Sequence, residues 1–253
     1  MSQQDSPYKR ISDEQMMAEA FHHMEIMAKG RTYQPPKKVS VDDWYYPNIT
    51  TTDLLQKIEE LREEEPMPSL LQFCNRFATD PQEYRKQIFQ IWTKEYLDGL
   101  SKMIKKHFPK AKVLEVGAGN GELTDQLKSR GIDIIATDDG RWLLHKKHPV
   151  VDMDYREAIE SYKPDLVIAS WIPMGEDWTP TMRKNKANYI LIGEAWGCCA
   201  KDSAFENKRG YQRIDKFDFD EYNICRTDYY YGDITGINKH SQTILFKRND
   251  YGR

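Results

Sequence analysis

One junction constrains this chain more than any other part of it. In Val113-Leu114-Glu115-Val116-Gly117-Ala118-Gly119-Asn120-Gly121 a short apolar, β-favouring run turns through three glycines at alternate positions. Leu123 and Leu127 continue it at helical spacing, so the glycines lie where a strand hands over to a helix. A Cβ there would hold a ligand away from the backbone and would disfavour the positive φ of a tight turn. The first amides of the helix are free to meet a ligand oxygen. Residues 132–137 read as a second buried strand, and Asp138 ends it. The distance from Gly117, about 20 residues, suits an acid gripping both hydroxyls of a ribose. A turn that merely packed helix on strand would lose conformational entropy at three glycines without packing in return.

Two cofactor classes use this layout, and the sixth position separates them. The dinucleotide fingerprint G-x-G-x-x-G/A needs a small residue there, whereas this chain has Glu122. Its spacing is G-x-G-x-G, with Glu115 two residues before the first glycine. A carboxylate is poorly placed beside a pyrophosphate but compatible with a sulfonium ligand carrying an ammonium group. On these residues the chain resembles the class I S-adenosylmethionine-dependent methyltransferases, whose first motif reads hydrophobic-(Asp/Glu)-hydrophobic-G-x-G-x-G. The resemblance covers residues 108–253. It implies a doubly wound, Rossmann-like α/β fold with a seven-stranded, mostly parallel sheet whose last strand is reversed. It also implies S-adenosylmethionine as cofactor and S-adenosylhomocysteine as product.

At 253 residues the chain can bury a full α/β core and carry an added segment. Charged residues make up 30%, yet the formal net charge is only −3, so no strong global attraction to nucleic acid or membrane follows. Cys74, Cys198, Cys199 and Cys225 form neither a C-x-x-C pair nor a zinc spacing, which fits a reducing compartment. No charged-then-apolar leader opens the sequence, and no apolar run approaches the roughly 18 residues of a membrane span. The expectation is a cytoplasmic protein without a membrane partner.

Residues 1–80 read as a helical extension, a cap or lid over the domain. Ser12 and Gln15 form a capping box before an amphipathic helix that ends at Gly30 and contains His22 and His23, which have no second ligand pair for a metal. A proline-bounded draped loop, 31–52, bears Trp44, Tyr45 and Tyr46, and helix returns from Asp53. Glu63-Glu64-Glu65 reads as a solvated face. Asp80-Pro81-Gln82-Glu83 predicts the start of a linking helix over 81–107, with Ile88, Ile91, Trp92, Leu97, Leu100 and Ile104 inward. Strands are predicted at 112–117, 132–137, 149–153, 165–171, 188–194, 211–219 and 241–248. The first five are short and apolar, as strands covered on both faces should be.

Ligands of open α/β sheets bind at the carboxyl ends of the strands. The first end supplies Glu115, Gly117, Ala118, Gly119 and Gly121, which the resemblance assigns to the methionine part of the cofactor. Asp138 at the second end is assigned to the ribose, the alternative being a turn cap at Asp138-Asp139-Gly140. After the third strand the resemblance points to Asp154 for the adenine amine and Met153 for the ring, with a helix cap as the alternative for Asp154. At the fourth end, Ser170 and Trp171 face the methyl group; Trp171-Ile172 separate Ser170 from Pro173, a departure from the (Asp/Asn/Ser)-Pro-Pro-aromatic signature of nucleic-acid amino methyltransferases. Glu194 at the fifth end is a candidate base or amine-orienting group, or a helix cap. Cys198 lacks a paired base to activate it as a nucleophile. Trp142, Trp171, Trp178 and Trp196 fall at strand ends, where they stack on ligands or pack beneath loops.

The reading is a methyltransferase acting on an O, N, S or C acceptor of a small molecule or peptide, with no metal. RNA is the alternative acceptor, and a non-catalytic S-adenosylmethionine-binding partner subunit the alternative class. A nicotinamide oxidoreductase is disfavoured by Glu122.

Overall fold

The computed structural model describes residues 46–61, 88–142, 146–226, 228 and 239–249. The helix expected from Ser12, the histidine pair, Trp44, Tyr45, the acidic run, Cys74 and the Asp80 cap lie outside the described residues.

The sheet is assembled from β2 (Val113–Val116), β3 (Ile134–Asp138), β4 (Val151–Asp152), β5 (Leu166–Ser170), β6 (Asn188–Gly193), β7 (Tyr211–Ile214) and β9 (Gln242–Arg248). Its order is β4-β3-β2-β5-β6-β9-β7. Strands β2 to β6 pair in parallel, while β9 runs antiparallel to both neighbours. The first five strands thus follow the doubly wound order with its reversal between β2 and β5, and the last strand is reversed. This is the fold class that the glycine junction implied.

Alternation along β2 decides what each face holds. Leu114 and Val116 join Val167, Ala169, Tyr189 and Leu191 under α4 (Tyr155–Tyr162) and α5 (Thr179–Lys184). Val113 joins Ile134, Leu166, Ile168 and Ile190 under α2 (Lys94–His107) and α3 (Glu122–Ser129). Glu115, on the second face, is a buried acid in an otherwise apolar strand. β4 departs from the expectation: both its residues are exposed, because at the sheet edge only one neighbour covers them.

The linking helix is shorter than predicted. Gln90–Ile91 forms strand β1, paired antiparallel with β8 (Ile224–Cys225) in a separate two-stranded sheet. Helix α2 starts only at Lys94, where the Thr93 side chain accepts from the Tyr96 amide. Ile88, Ile91 and Trp92 fit a helical period locally, but the Gln90 side chain finds its partners across 133 and 134 residues of sequence, at Asn223 Oδ1 and the Ile224 carbonyl. No local pattern reports such a pairing. The predicted strand 211–219 likewise ends at Ile214, and a 3₁₀ turn follows at Asp218–Tyr222.

Helix α1 (Thr51–Leu61) is held against α2 by its first turn: the Thr51 amide and hydroxyl both donate to Glu95 Oε2, at 3.0 and 3.1 Å. The Asn48 amide donates to the Trp92 carbonyl and the Lys94 amide to that of Ile49. These bonds fix Tyr46 and Pro47 at the mouth of the cavity described below. Among the described residues no helix is long and apolar enough to cross a membrane.

Candidate functional site

Strand register sets the site. Val116 lies level with Thr137 on one side and Ala169 on the other, so Gly117, Asp138 and Ser170 leave the sheet at one height. Asp138 pairs with Asp152, and the Met153 amide donates to the Asp138 carbonyl, carrying Met153 to the same rim. A cavity of about 590 Å³ opens over these strand ends, within the range of about 300–1,000 Å³ typical of small-molecule sites. It lies at the reversal point of the sheet.

The glycine loop forms the floor. Gly117, Gly119 and Gly121 all have positive φ, at 66°, 56° and 81°. Two of them also answer a packing need that the sequence did not reveal. A Cβ on Gly117 would come within 2.8 Å of the Trp178 ring, and one on Gly121 within 2.7 Å of Val150 Cγ2. The expectation that these glycines gain no packing is therefore corrected.

Asp138 joins the second loop to the first. Its Oδ2 accepts from the Gly119 amide at 2.9 Å and its Oδ1 from the Gly140 amide at 2.7 Å. The turn-capping role is thus present, and the carboxylate still lines the cavity with free lone pairs on both oxygens. Beneath it Glu115 is 2% exposed, and Thr124 Oγ1 donates to its Oε2 at 2.5 Å. Burial pushes the Glu115 carboxyl up to about 7, against the opposing hydrogen bonds from Thr124, with the Asp138 charge adding to the rise.

One wall is aromatic and braced by charge. Trp178 stacks on Tyr155 with centroids 4.5 Å apart and donates Nε1 to Glu176 Oε2 at 2.6 Å. Glu176 Oε1 accepts from Arg141, which also donates to Asp139. The loop after β3 is thereby clasped to the loop after β5. Trp142, 53% exposed, stands on the rim of the cavity.

The opposite wall belongs to Ser170, Trp171 and the small β1/β8 sheet. Ser170 Oγ is buried without a hydrogen-bond partner. Trp171 has a φ of 56°, donates its amide to the Ile192 carbonyl, and donates Nε1 to Gln90 Oε1 at 3.1 Å.

Of the candidate residues, Glu115, Gly117, Ala118, Gly119, Asp138, Met153, Ser170 and Trp171 share this cavity. Gly121 lies just below it as the left-handed cap of α3. Asp154 does not line the cavity; its side chain accepts from the Arg156 amide as the cap of α4. Glu194 is also outside the lining and accepts from Cys198 Sγ at 2.8 Å. Burial and then Glu194 itself push the Cys198 thiol up to about 12, which leaves it no thiolate character at neutral pH. Trp196 is remote from the cavity, beside Phe205 and Arg213. Sequence reasoning missed Tyr155, Phe89, Gln90 and Arg226. The first opens helix α4, Gln90 is on a two-residue strand, and Phe89 and Arg226 flank such strands, where no periodic signal exists.

Glu122, Asp125 and His148 also come together, with ligand atoms within 4.8 Å of one another. Their side chains are of a kind that can hold a cation, but His148 already faces Glu122 at 3.5 Å and Asp125 at 3.4 Å.

At the level of sequence, no family model and no curated protein matches the chain. Solved structures with a similar fold include TehB from Haemophilus influenzae, at 14% identity over 60% of this chain and 62% of that one, TM-score 0.34. PigF, solved with S-adenosylhomocysteine, aligns at 11% identity over 78% and 59%, TM-score 0.34. An O-methyltransferase family protein from Burkholderia thailandensis aligns at 11% identity over 94% and 85%, TM-score 0.35. This chain spans about three-fifths of the lengths of TehB and PigF. The superpositions are loose, and the architecture rests on the strand order itself.

Proposed function

We propose that the cavity binds S-adenosylmethionine and that the chain transfers its methyl group to a small-molecule or peptide acceptor. The observation that carries this reading is the vertical arrangement of two acids around the glycine loop. Glu115 is buried in the strand beneath the loop, and Asp138 clamps the loop at the next strand end. A buried carboxyl with no cationic partner at ion-pair distance among the described residues calls for a cation from the ligand. An amino-acid ammonium supplies one, whereas a pyrophosphate would add to the negative charge. The cofactor is thus favoured over a dinucleotide on charge alone.

In this assignment the loop amides and Glu115 hold the amino-acid end, and Asp138 takes the ribose hydroxyls. Met153 and the Tyr155–Trp178 stack give the apolar surface for the base. Gly121 acts through the shape of the loop. Asp154 acts through the helix it caps, and the adenine amine is not assigned to it. When bound, the cofactor would supply an electrophilic methyl, which an acceptor would take in line as the methyl–sulfur bond breaks and S-adenosylhomocysteine leaves. The chain's own contribution is alignment and exclusion of water, worth up to about 7–11 kcal/mol where orientation is good. Ser170 and Trp171 line the cavity at the end of β5, where the acceptor would meet the methyl group. Glu194 is kept out of the base role because it stands behind Cys198.

Calorimetry with S-adenosylhomocysteine and with NAD tests the reading. Binding of the former alone is expected, and comparable affinity for both would sink it.

A further inference from the structure

The cavity wall formed by Phe89, Trp171 and Arg226 holds a cation that nothing in the cofactor assignment uses. Arg226 directly follows β8, and its amide donates to the Phe89 carbonyl at 3.2 Å. Its guanidinium lies 4.0 Å from the Phe89 ring centroid and 6.0 Å from that of Trp171, and the residue lines the cavity. Arg226 Nε is buried without a hydrogen-bond partner among the described residues. No carboxylate among the described residues lies within ion-pair distance of it.

The frame around it is saturated. Gln90 Nε2 donates to Asn223 Oδ1 at 2.7 Å and to the Ile224 carbonyl at 2.6 Å. Gln90 Oε1 accepts from Trp171 Nε1 and from Ser241 Oγ at 3.0 Å. Gln90, the amide side chain of β1 beside Phe89, is therefore already engaged on both its nitrogen and its oxygen. A buried donor without an acceptor is costly, more so when charged.

We propose that the acceptor is a small carboxylate-bearing compound with a flat or apolar body. Arg226 takes the carboxylate, and Phe89 and Trp171, the rings beside its guanidinium, cover the body. The assignment of the donor rests on the proposed function above; the anion site stands on Arg226. A carboxylate is preferred to a phosphate dianion because, among the described residues, this wall offers a single cation. Arg141 is bonded to Asp139 and Glu176, and Lys147 belongs to the segment bonded to Asn120 of the glycine loop.

The test measures binding of benzoate, benzamide and phenyl phosphate to the full chain by calorimetry, with and without S-adenosylhomocysteine. Benzoate and benzamide differ in charge at nearly constant shape. Wild type should prefer benzoate by on the order of 10- to 100-fold, the scale of a charge-assisted hydrogen bond. Arg226→Met should abolish the preference, and Arg226→Lys, which keeps the charge but not the planar fork, should restore part of it. Unchanged affinity of Arg226→Met for S-adenosylhomocysteine shows that the cofactor end is intact. Absence of benzoate binding, equal binding of benzoate and benzamide by wild type, or an unaltered preference in Arg226→Met overturns the proposal. So does tighter, Arg226-dependent binding of phenyl phosphate. Failure of S-adenosylhomocysteine to bind wild type would fell the cofactor reading instead, while the benzoate preference without it still decides the anion site.

Discussion

Thr124 Oγ1 donates to Glu115 Oε2 at 2.5 Å, tying the first turn of helix α3 to the buried acid of strand β2 across the glycine loop. The bond orients a carboxyl that burial holds near neutrality, at about 7, from an ordinary 4.5. The folded chain therefore keeps a proton on Glu115 that the unfolded chain releases. The stability this gives is fully present below about pH 4.5 and is lost as pH rises through about 7, in total roughly 3 kcal/mol. Glu115→Gln should remove that part of the pH dependence, which denaturant titrations of both proteins at several pH values would show.

The same group links pH to ligand. An ammonium beside Glu115 favours its ionised form, so S-adenosylhomocysteine binding near pH 7 should release a proton, and affinity should fall about 10-fold per unit below that pH. Calorimetry in buffers of different ionisation enthalpy reads the proton directly. An affinity flat between about pH 6 and about pH 8 would place the ammonium elsewhere.

Gly117→Ala meets two obstacles, a φ of +66° and a Trp178 ring 2.8 Å from the new Cβ. The backbone cost alone is about 1–3 kcal/mol. Both stability and cofactor affinity should drop. A variant as stable as wild type would mean that the loop relaxes freely away from Trp178.

Asp138→Ala removes two hydrogen bonds to loop amides, so it loosens the loop as well as the ribose contact proposed for it. Affinity for S-adenosylhomocysteine should fall by about 1.5–3 kcal/mol with the fold retained, and Asp138→Asn should lose less. An unchanged dissociation constant would leave Asp138 with its turn-capping role alone.

Glu176→Ala cuts the clasp between Arg141 and Trp178. Both partners of the Glu176–Arg141 pair are substantially exposed, at 32% and 43%, so the ion pair contributes under about 1 kcal/mol, and the lost acceptor of the Trp178 indole should make the total loss about 1–3 kcal/mol. Cofactor dissociation should quicken several-fold, measured by stopped-flow tryptophan fluorescence. A large loss of stability with an unaltered off-rate would make the clasp a structural element only.

The parts of this protein legible in its sequence are those governed by local chemistry. The glycine spacing, Glu115, and Asp138 at the next strand end needed only period and turn preference, and so did the seven runs of the main sheet. A strand buried on both faces is apolar throughout, and a chain reversing at positive φ selects glycine, so both leave marks in consecutive residues. Tertiary structure alone decided the cavity wall opposite Trp178. Gln90 and Arg226 lie on strands of two residues or just beyond them, paired across the length of the domain. Their meaning comes from partners far along the chain, and a two-residue strand has no period to read. It also decided between the two roles of Asp154, because the choice between capping a helix and facing a ligand turns on a rotamer and a register, which residue type does not encode.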